Sequence, residues 1–254
     1  GFLALQAGIS EAALSTVIQV VAVAGLLGLA YVIYNGTSGS EQWSRVGAIF
    51  IFAVANIFFW SGFEQAGGTF NLFAAEETNR NIFGYEVAAS LFQSINALAI
   101  FIFAPVIASF WVSLALRNRN PSTPAKFGLG LALLSLGFVV MSLASFAAEG
   151  EALVSPMWLV GVYVLHTFGE LCLSPIGLSM ITKLAPPKIV SVMMGLWFAS
   201  MALANYMAGI MESLLEKIFP GMNLFVFLTI TAAAGALLMF ALTPLLRRLM
   251  RGIH

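Results

Sequence analysis

Two glutamates occur within long apolar stretches of the chain. Glu64 lies near the end of the run over residues 46–65, and Glu170 lies within residues 158–175. An ionisable side chain in a membrane-spanning helix costs several kcal/mol, so it usually faces a polar interior and marks the path of an ion or substrate. The two carboxylates therefore favour a transporter, in which they would exchange protons or pair with a cationic group of the substrate.

Polar side chains accompany Glu64 at helical spacing. Asn56, Trp60 and Glu64 recur every four residues, which places them on one face of a helix. This pattern favours a polar stripe that lines a cavity, with Glu64 paired to a cation. A polar helix end near the membrane interface, with Trp60 as an interfacial aromatic, is the alternative.

His166, Glu170 and Ser174 show the same spacing, and Pro175 follows them. Proline removes a backbone hydrogen bond inside a helix. Glu170 is a candidate for proton exchange or for binding a cationic substrate group, and the alternative is a structural carboxyl that a nearby serine or the backbone satisfies. His166 is better interpreted as a hydrogen-bonding contact between helices than as a proton relay.

The composition is that of a membrane protein. Apolar residues make up 60% of the chain and charged residues only 9%, whereas soluble domains contain about 45–50% and about 25%. The net charge of zero gives no indication of a nucleic-acid partner. The single cysteine, Cys172, excludes an internal disulfide and a cysteine-based metal site.

The sequence contains no glycine loop for phosphate, no Ser-His-Asp arrangement and no set of residues with metal-ligand spacing. We therefore expect a carrier and not an enzyme, with no cofactor.

Seven apolar segments are long enough to span a bilayer, which requires about 20 residues. They cover residues 13–34, 44–65, 86–116, 127–147, 157–184, 189–214 and 222–246. Residues 35–40 are predicted to form a flexible linker, and residues 219–221 a tight turn. Basic residues occur only at or beyond the ends of these segments, so a basic partner for Glu64 is expected to come from outside this chain.

If successive segments cross the membrane in alternating directions, the basic residues are divided unequally between its two sides. One side collects Arg45, Arg117, Arg119, Lys126, Lys183, Lys188, Arg247, Arg248 and Arg251, and the other has only Arg80 and Lys217. The outer side is predicted to carry Glu76, Glu77, Glu149, Glu151 and Glu216. The positive-inside rule then predicts a cytoplasmic C-terminus and an external Gly1.

Four stretches resemble motifs of the proton-coupled oligopeptide transporters, a family of the major facilitator superfamily. Residues 58–68 (FFWSGFEQAGG) are similar to the motif of the family's seventh helix, and residues 169–179 (GELCLSPIGLS) to that of the tenth. Residues 93–96 and 195–198 resemble shorter signatures of the eighth and eleventh helices. The match covers roughly residues 44–246.

The resemblance implies an all-α membrane protein that contains the C-terminal six-helix bundle of a major-facilitator fold, over residues 44–254. Residues 1–43 would supply one of the extra helices found between the two halves of bacterial members, followed by a connector. The protein would lie in the bacterial cytoplasmic (inner) membrane and carry out proton-driven symport of di- and tripeptides.

The same resemblance assigns roles to single residues. Glu64 would couple transport to protonation and pair with an arginine of the N-terminal half, and Glu170 would share the coupling and hold the peptide's amino terminus. Asn96 would contact the peptide backbone or carboxylate. Further peptide contacts are implied for Trp60, Phe63, Trp197, Ser200 and Ser174.

The N-terminal six-helix bundle of the family, with its Glu-x-x-Glu-Arg motif, is absent from this sequence, so the chain is expected to hold half of a site that lies between two bundles. Two alternatives stay open. One is a carrier of the same fold for another solute, such as nitrate or amino acids, although nitrate has no group that needs the Glu170 carboxylate. The other is a half-transporter with a structural or interaction role.

Overall fold

The computed structural model describes residues 11–149 and 153–253. The predicted outer positions of Gly1 and Glu151, and the first ten residues of the predicted segment 1–43, lie outside the described residues.

Helices make up almost all of the described chain. The helices are α1 (Glu11–Gly36), α2 (Gly39–Phe63), α3 (Thr69–Glu76), α4 (Ser94–Leu116), α5 (Thr123–Ala148), α6 (Met157–Leu184), α7 (Val190–Ile218) and α8 (Leu224–Leu249). Short 3-10 turns cover Glu64–Ala66, Ala89–Gln93 and Pro187–Ile189, and strands β1 (Asn81–Ile82) and β2 (Tyr85–Glu86) form an antiparallel hairpin.

Seven stretches among the described residues are long and apolar enough to cross a membrane. The second of them, Gly39–Glu76, combines α2, the 3-10 turn and α3. The prediction of an all-α membrane protein with seven spanning segments is confirmed.

The structure corrects two predicted boundaries. The expected flexible linker over residues 35–40 is reduced to Thr37 and Ser38, because α1 continues to Gly36 and α2 begins at Gly39. The third segment was predicted to start at residue 86, but Tyr85–Glu86 is a strand and the helical stretch begins only at Ala89. The two turn residues between the strands, Phe83 and Gly84, have positive φ values of 52° and 85° and close the hairpin. This turn ends before the helical stretch starts, which the apolarity of the segment did not indicate.

The core of the bundle forms around α5, which packs along α6 and α8, while α2 packs against α7 and α8. Small residues permit this close approach. A Cβ added to Gly130 of α5 would lie 2.9 Å from the carbonyl oxygen of Gly169 on α6, and one added to Gly169 would lie 2.8 Å from that of Gly130. The backbones of α5 and α6 therefore touch at this crossing.

Two spanning helices lie outside this core. In each of the stretches Ala13–Gly36 and Ala89–Leu116, only 6% of the most apolar window is buried. Helix α1 meets the bundle where Gly36 lies against Ile189, and α4 packs chiefly on α6.

Contacts between the segments that connect the helices show which helix ends lie on the same side of the bundle. Gly36 meets Ile189, and one cavity is lined by residues from the start of α5, the end of α6 and the end of α8. At the opposite side Thr78 forms a bridge with Val154, and Asn223 donates to Ser145. The segments that carry nine of the eleven basic residues therefore end on the same side, which we call the basic end.

Candidate functional site

Glu64 lies where the second spanning stretch bends. Helix α2 ends at Phe63, and Glu64 begins the 3-10 turn that leads to Gly67 and Gly68. The turn is held by the buried side chain of Gln65, which donates to the carbonyl oxygen of Ala208 on α7 (3.2 Å). The half-buried carboxyl of Glu64 is thus presented at a helix end rather than from the side of a straight helix.

Glu170 and Asn96 are joined directly. The side-chain amide of Asn96 on α4 donates to Oε2 of Glu170 on α6 and to Oγ1 of Thr167, each at 3.0 Å. The Thr167 hydroxyl in turn donates to the carbonyl oxygen of Tyr163 (2.7 Å). A half-buried carboxylate is therefore held in place by a side chain 74 residues away in sequence.

A small cavity of about 180 Å³ brings several predicted residues together. Glu64, Asn96 and Phe63 line it, with His166 and Tyr163. Glu170 does not line this cavity, but it is joined to it through Asn96, which lines the cavity and donates to the Glu170 carboxylate.

No basic side chain within residues 11–149 and 153–253 pairs with Glu64 or Glu170. The ion pairs in this part of the chain are Arg45 with Glu41 and Arg80 with Glu86. Lys126 lies inside helix α5, but its ammonium group is over the ring of Trp111, 4.5 Å from the centroid. The carboxyl of Glu64 is left without a hydrogen-bond or ionic partner among the described residues, although it faces a cavity.

Trp60 and Phe63 form one aromatic cluster at this end of α2. Their ring centroids are 5.1 Å apart, and both rings contact Phe59. Phe63 also approaches the ring of His166 at 6.2 Å. Phe63 lines the cavity, and Trp60 is half-buried beside it.

Asn56, Ser200 and Trp197 meet inside the bundle, away from this cavity. The buried Asn56 amide donates to Oγ of Ser200 (2.9 Å), which donates to the carbonyl oxygen of Trp197 (2.6 Å). Only 3% of Trp197 is exposed, and its ring packs against Phe127. The proposed stripe from Asn56 to Glu64 therefore does not line one cavity, because Asn56 is used to join α2 and α7. The peptide contacts of Trp197 and Ser200 stay predictions.

His166 and Ser174 have different surroundings, although their spacing of four residues on either side of Glu170 predicts the same helix face. His166 is buried, and its Nε2 lies 3.1 Å from the carbonyl oxygen of Leu134 on α5, which agrees with the interpretation as a helix contact. The Ser174 hydroxyl is buried with no hydrogen-bond partner among the described residues. Its role toward a peptide also stays a prediction.

Sequence reasoning missed Gln65, Tyr163 and Thr167. Tyr163, Thr167 and Glu170 are spaced at i, i+4 and i+7, which is a helical face, so this signal was present. The bond from the Tyr163 hydroxyl to the carbonyl oxygen of Ala66 (3.3 Å) had no such signal, because it joins residues 97 positions apart.

Comparison with known proteins gives a consistent result. The family model described as "POT family" matches residues 17–226. The peptide transporter YePEPT of Yersinia enterocolitica is 41% identical over 198 residues, which are 77% of this chain and 39% of that protein.

Solved structures show the same similarity. A crystal structure of a peptide transporter POT in complex with sulfate matches with a TM-score of 0.80 at 32% identity, over 98% of this chain and 50% of that one. A POT family transporter in complex with a thioalcohol-conjugated peptide also gives a TM-score of 0.80, at 29% identity, over 96% of this chain and 51% of that one. The chain thus spans between 39% and 51% of the length of these relatives, and it belongs to the POT family.

Proposed function

We propose that this chain supplies the C-terminal bundle of a transporter that carries di- and tripeptides by proton-driven symport across the bacterial cytoplasmic membrane. Residues 44–254 would form the bundle, and residues 1–43 would be an accessory helix with its connector. The basic end would face the cytoplasm, which places the C-terminus inside.

The observation that carries this proposal is the pairing state of the two carboxylates. Glu170 is positioned by Asn96 at 3.0 Å, whereas Glu64 lines the same cavity as Asn96 and has no cationic partner among the described residues. An unpaired carboxyl within a spanning stretch is costly. An arginine from a second bundle is the partner that we propose for it.

Glu170 is suited to the amino terminus of a peptide. Its carboxylate has a second oxygen that the Asn96 amide does not occupy, and an ammonium group can bind there by charge-assisted hydrogen bonds. Asn96 would remain available for the peptide backbone or its carboxylate. A solute such as nitrate offers no cation for Glu170, so the geometry favours peptides.

Glu64 would couple this binding to proton movement. When its carboxyl is ionised it would pair with the arginine of the other bundle and hold the two bundles together at this end. Protonation removes the charge and weakens that pair, which shifts the balance between the two facing states. The position of Glu64 in a turn next to Gly67 and Gly68 supports this role, because the pair would act on a bend rather than on a rigid helix.

The test is uptake of labelled dialanine into liposomes under an inward proton gradient. The 254-residue chain would be reconstituted alone and together with an N-terminal six-helix bundle taken from a relative. We expect no uptake by the chain alone and uptake by the pair, with competition by di- and tripeptides but not by nitrate or single amino acids.

Each other outcome points to a different function. Uptake by the chain alone would show that copies of this bundle build a complete pathway, which contradicts the half-site. Uptake that nitrate or amino acids inhibit would assign another solute. Absence of uptake in both preparations, with the pair correctly assembled, would leave a structural or interaction role.

A further inference from the structure

A second polar cavity, of about 620 Å³, lies at the basic end of the bundle, away from Glu64 and Glu170. It is bounded by the start of α5, the second half of α6 and the last turn of α8. Its polar lining consists of one amide, three hydroxyls and three cations: Asn120, Ser122, Thr123, Ser179, Lys126, Lys183 and Arg247. None of the described residues that line it is acidic.

The three cations lie at one depth, close to a helix end. Lys126 is three residues into α5, Lys183 is the second-last residue of α6, and Arg247 is two residues before the end of α8. Spanning helices end where the lipid headgroups begin. In a bilayer that these helices span, the cations would therefore lie near the lipid phosphates.

Lys126 is the buried member of this set. Only 8% of the residue is exposed, and it has no ionic or hydrogen-bond partner among the described residues besides the ring of Trp111. A buried ammonium group with no carboxylate nearby is a strong attraction for an anion. The first turn of α5 strengthens this attraction for an anion. The side chain of Ser122 caps none of the free amides of that turn, and the N-terminal end of a helix carries a partial positive charge.

An apolar groove of about 370 Å³ borders this cavity, between α4, α5 and α6. Pro121 lines both spaces, and Trp111, whose ring carries the Lys126 ammonium group, lines the groove. The rest of the groove is apolar and includes Leu114, Leu129 and Phe168. One wall of the groove is α4, one of the two spanning helices that are largely exposed.

We propose that these two spaces form one binding site for an acidic phospholipid. The phosphate would lie among Lys126, Lys183 and Arg247, and an acyl chain would lie in the groove below Trp111. Basic pockets between membrane helices bind acidic headgroups for the same electrostatic reason. A free phosphate would use the cations but leave the groove without an occupant. The position of the groove directly beside the basic cavity, at Pro121 and at the contact of Lys126 with Trp111, therefore favours the lipid.

The site can be tested by native mass spectrometry of the purified 254-residue chain released from detergent. The probes are phosphatidylglycerol, phosphatidylcholine of the same chain length, and inorganic phosphate. We expect phosphatidylglycerol to bind about tenfold more tightly than phosphatidylcholine, and inorganic phosphate to compete poorly.

Two pairs of substitutions separate the site from general surface charge. Lys183→Gln with Arg247→Gln removes two exposed cavity cations, and these changes should not disturb folding. Lys188→Gln with Arg248→Gln removes the same charge from exposed neighbours that do not line the cavity. The cavity pair should lose the preference for phosphatidylglycerol, roughly tenfold, and the control pair should keep it.

Leu129→Trp tests the groove by filling it. This variant should weaken binding of long-chain phosphatidylglycerol and leave binding of inorganic phosphate unchanged. Equal binding of the two lipids, or an equal loss in both pairs of variants, would overturn the proposal. Displacement of the lipid by inorganic phosphate, with no effect of Leu129→Trp, would assign the cavity to free phosphate and not to a lipid.

Discussion

Helices α4 and α5 have almost the same mean hydropathy but opposite surroundings. Their spanning stretches have mean hydropathies of 2.3 and 2.2, yet 6% of the most apolar window is buried in the first and 61% in the second. The visible difference is in small residues: α5 contains Gly128, Gly130 and Gly137, whereas α4 contains no glycine. Close packing in a membrane depends on such residues more than on hydropathy.

The comparison indicates that two regions of the molecule have different roles. The scaffold, which we define as α5 with the faces of α6 and α8 that pack against it, holds the bundle together through close backbone contacts such as Gly130 with Gly169. The open region, which we define as α4, the cavity at Glu64 and the face of α6 that carries Glu170, presents Asn96 and the two carboxylates. If this division is correct, substitutions in the scaffold should affect stability, and substitutions in the open region should affect transport.

Glu64→Gln should have the largest effect on function. The substitution keeps the shape of the side chain but removes its charge, so the reconstituted pair of bundles should lose proton-driven dialanine uptake to the level of empty liposomes. Counterflow exchange and thermal stability should be unchanged. Glu76→Gln, at an exposed position of the same spanning stretch, is the control and should transport normally. Full proton-driven uptake by Glu64→Gln would show that Glu64 is not the coupling residue.

Gly130→Val should have the largest effect on stability. The new Cβ would meet the backbone of Gly169, which cannot move aside as a side chain can, so α5 and α6 must separate. Overpacking of this kind costs typically about 1–3 kcal/mol and occasionally more. The measurement is the midpoint of unfolding in a detergent mixture.

Gly161→Val is the matched control for that experiment. It makes the same change in α6, at a position where a Cβ would have no neighbour within 4 Å. A loss of stability at Gly161 equal to that at Gly130 would mean that helix propensity, and not the crossing of α5 and α6, explains the result.

Glu170→Ala should weaken peptide binding about ten- to hundredfold, because hydrogen bonds to a charged group contribute about 1.5–3 kcal/mol. The unfolding midpoint should change little, since Glu170 is only half-buried. Binding of dialanine to the reconstituted pair can be followed by calorimetry. The control is Glu216→Ala, an exposed glutamate in the last turn of α7. Unchanged affinity would remove Glu170 from the peptide site.

Phe101→Ala on α4 should have the smallest effect. The side chain is 82% exposed in this bundle, so its removal should change the free energy of unfolding by less than about 0.5 kcal/mol. Phe138→Ala makes the same change at a fully buried position of α5, where about 3–5 kcal/mol is expected. Similar losses at the two positions would contradict the division between scaffold and open region.

Much of the candidate site could be found without the structure. Glu64 and Glu170 stood out because a charge in an apolar run is conspicuous on any scale of transfer free energy. Asn96 was assigned to the peptide site only through a resemblance to known motifs, and its bond to Glu170 could not be predicted, because it depends on how α4 lies against α6. The expected stripe from Asn56 to Glu64 was wrong for Asn56, since helical spacing gives the face of a residue but not its neighbour.

The amino-acid sequence alone was sufficient for the seven spanning segments, for the collection of basic residues toward one end and for the two carboxylates. Each of these follows from the apolarity and charge of single residues and from the length of the apolar runs that they form. The tertiary structure decided which of two equally apolar helices is buried, that Glu64 lies in a turn beyond α2, and that Lys126 joins a basic cavity to an apolar groove. These features depend on where helices cross, and crossings are set by contacts between residues far apart in the chain.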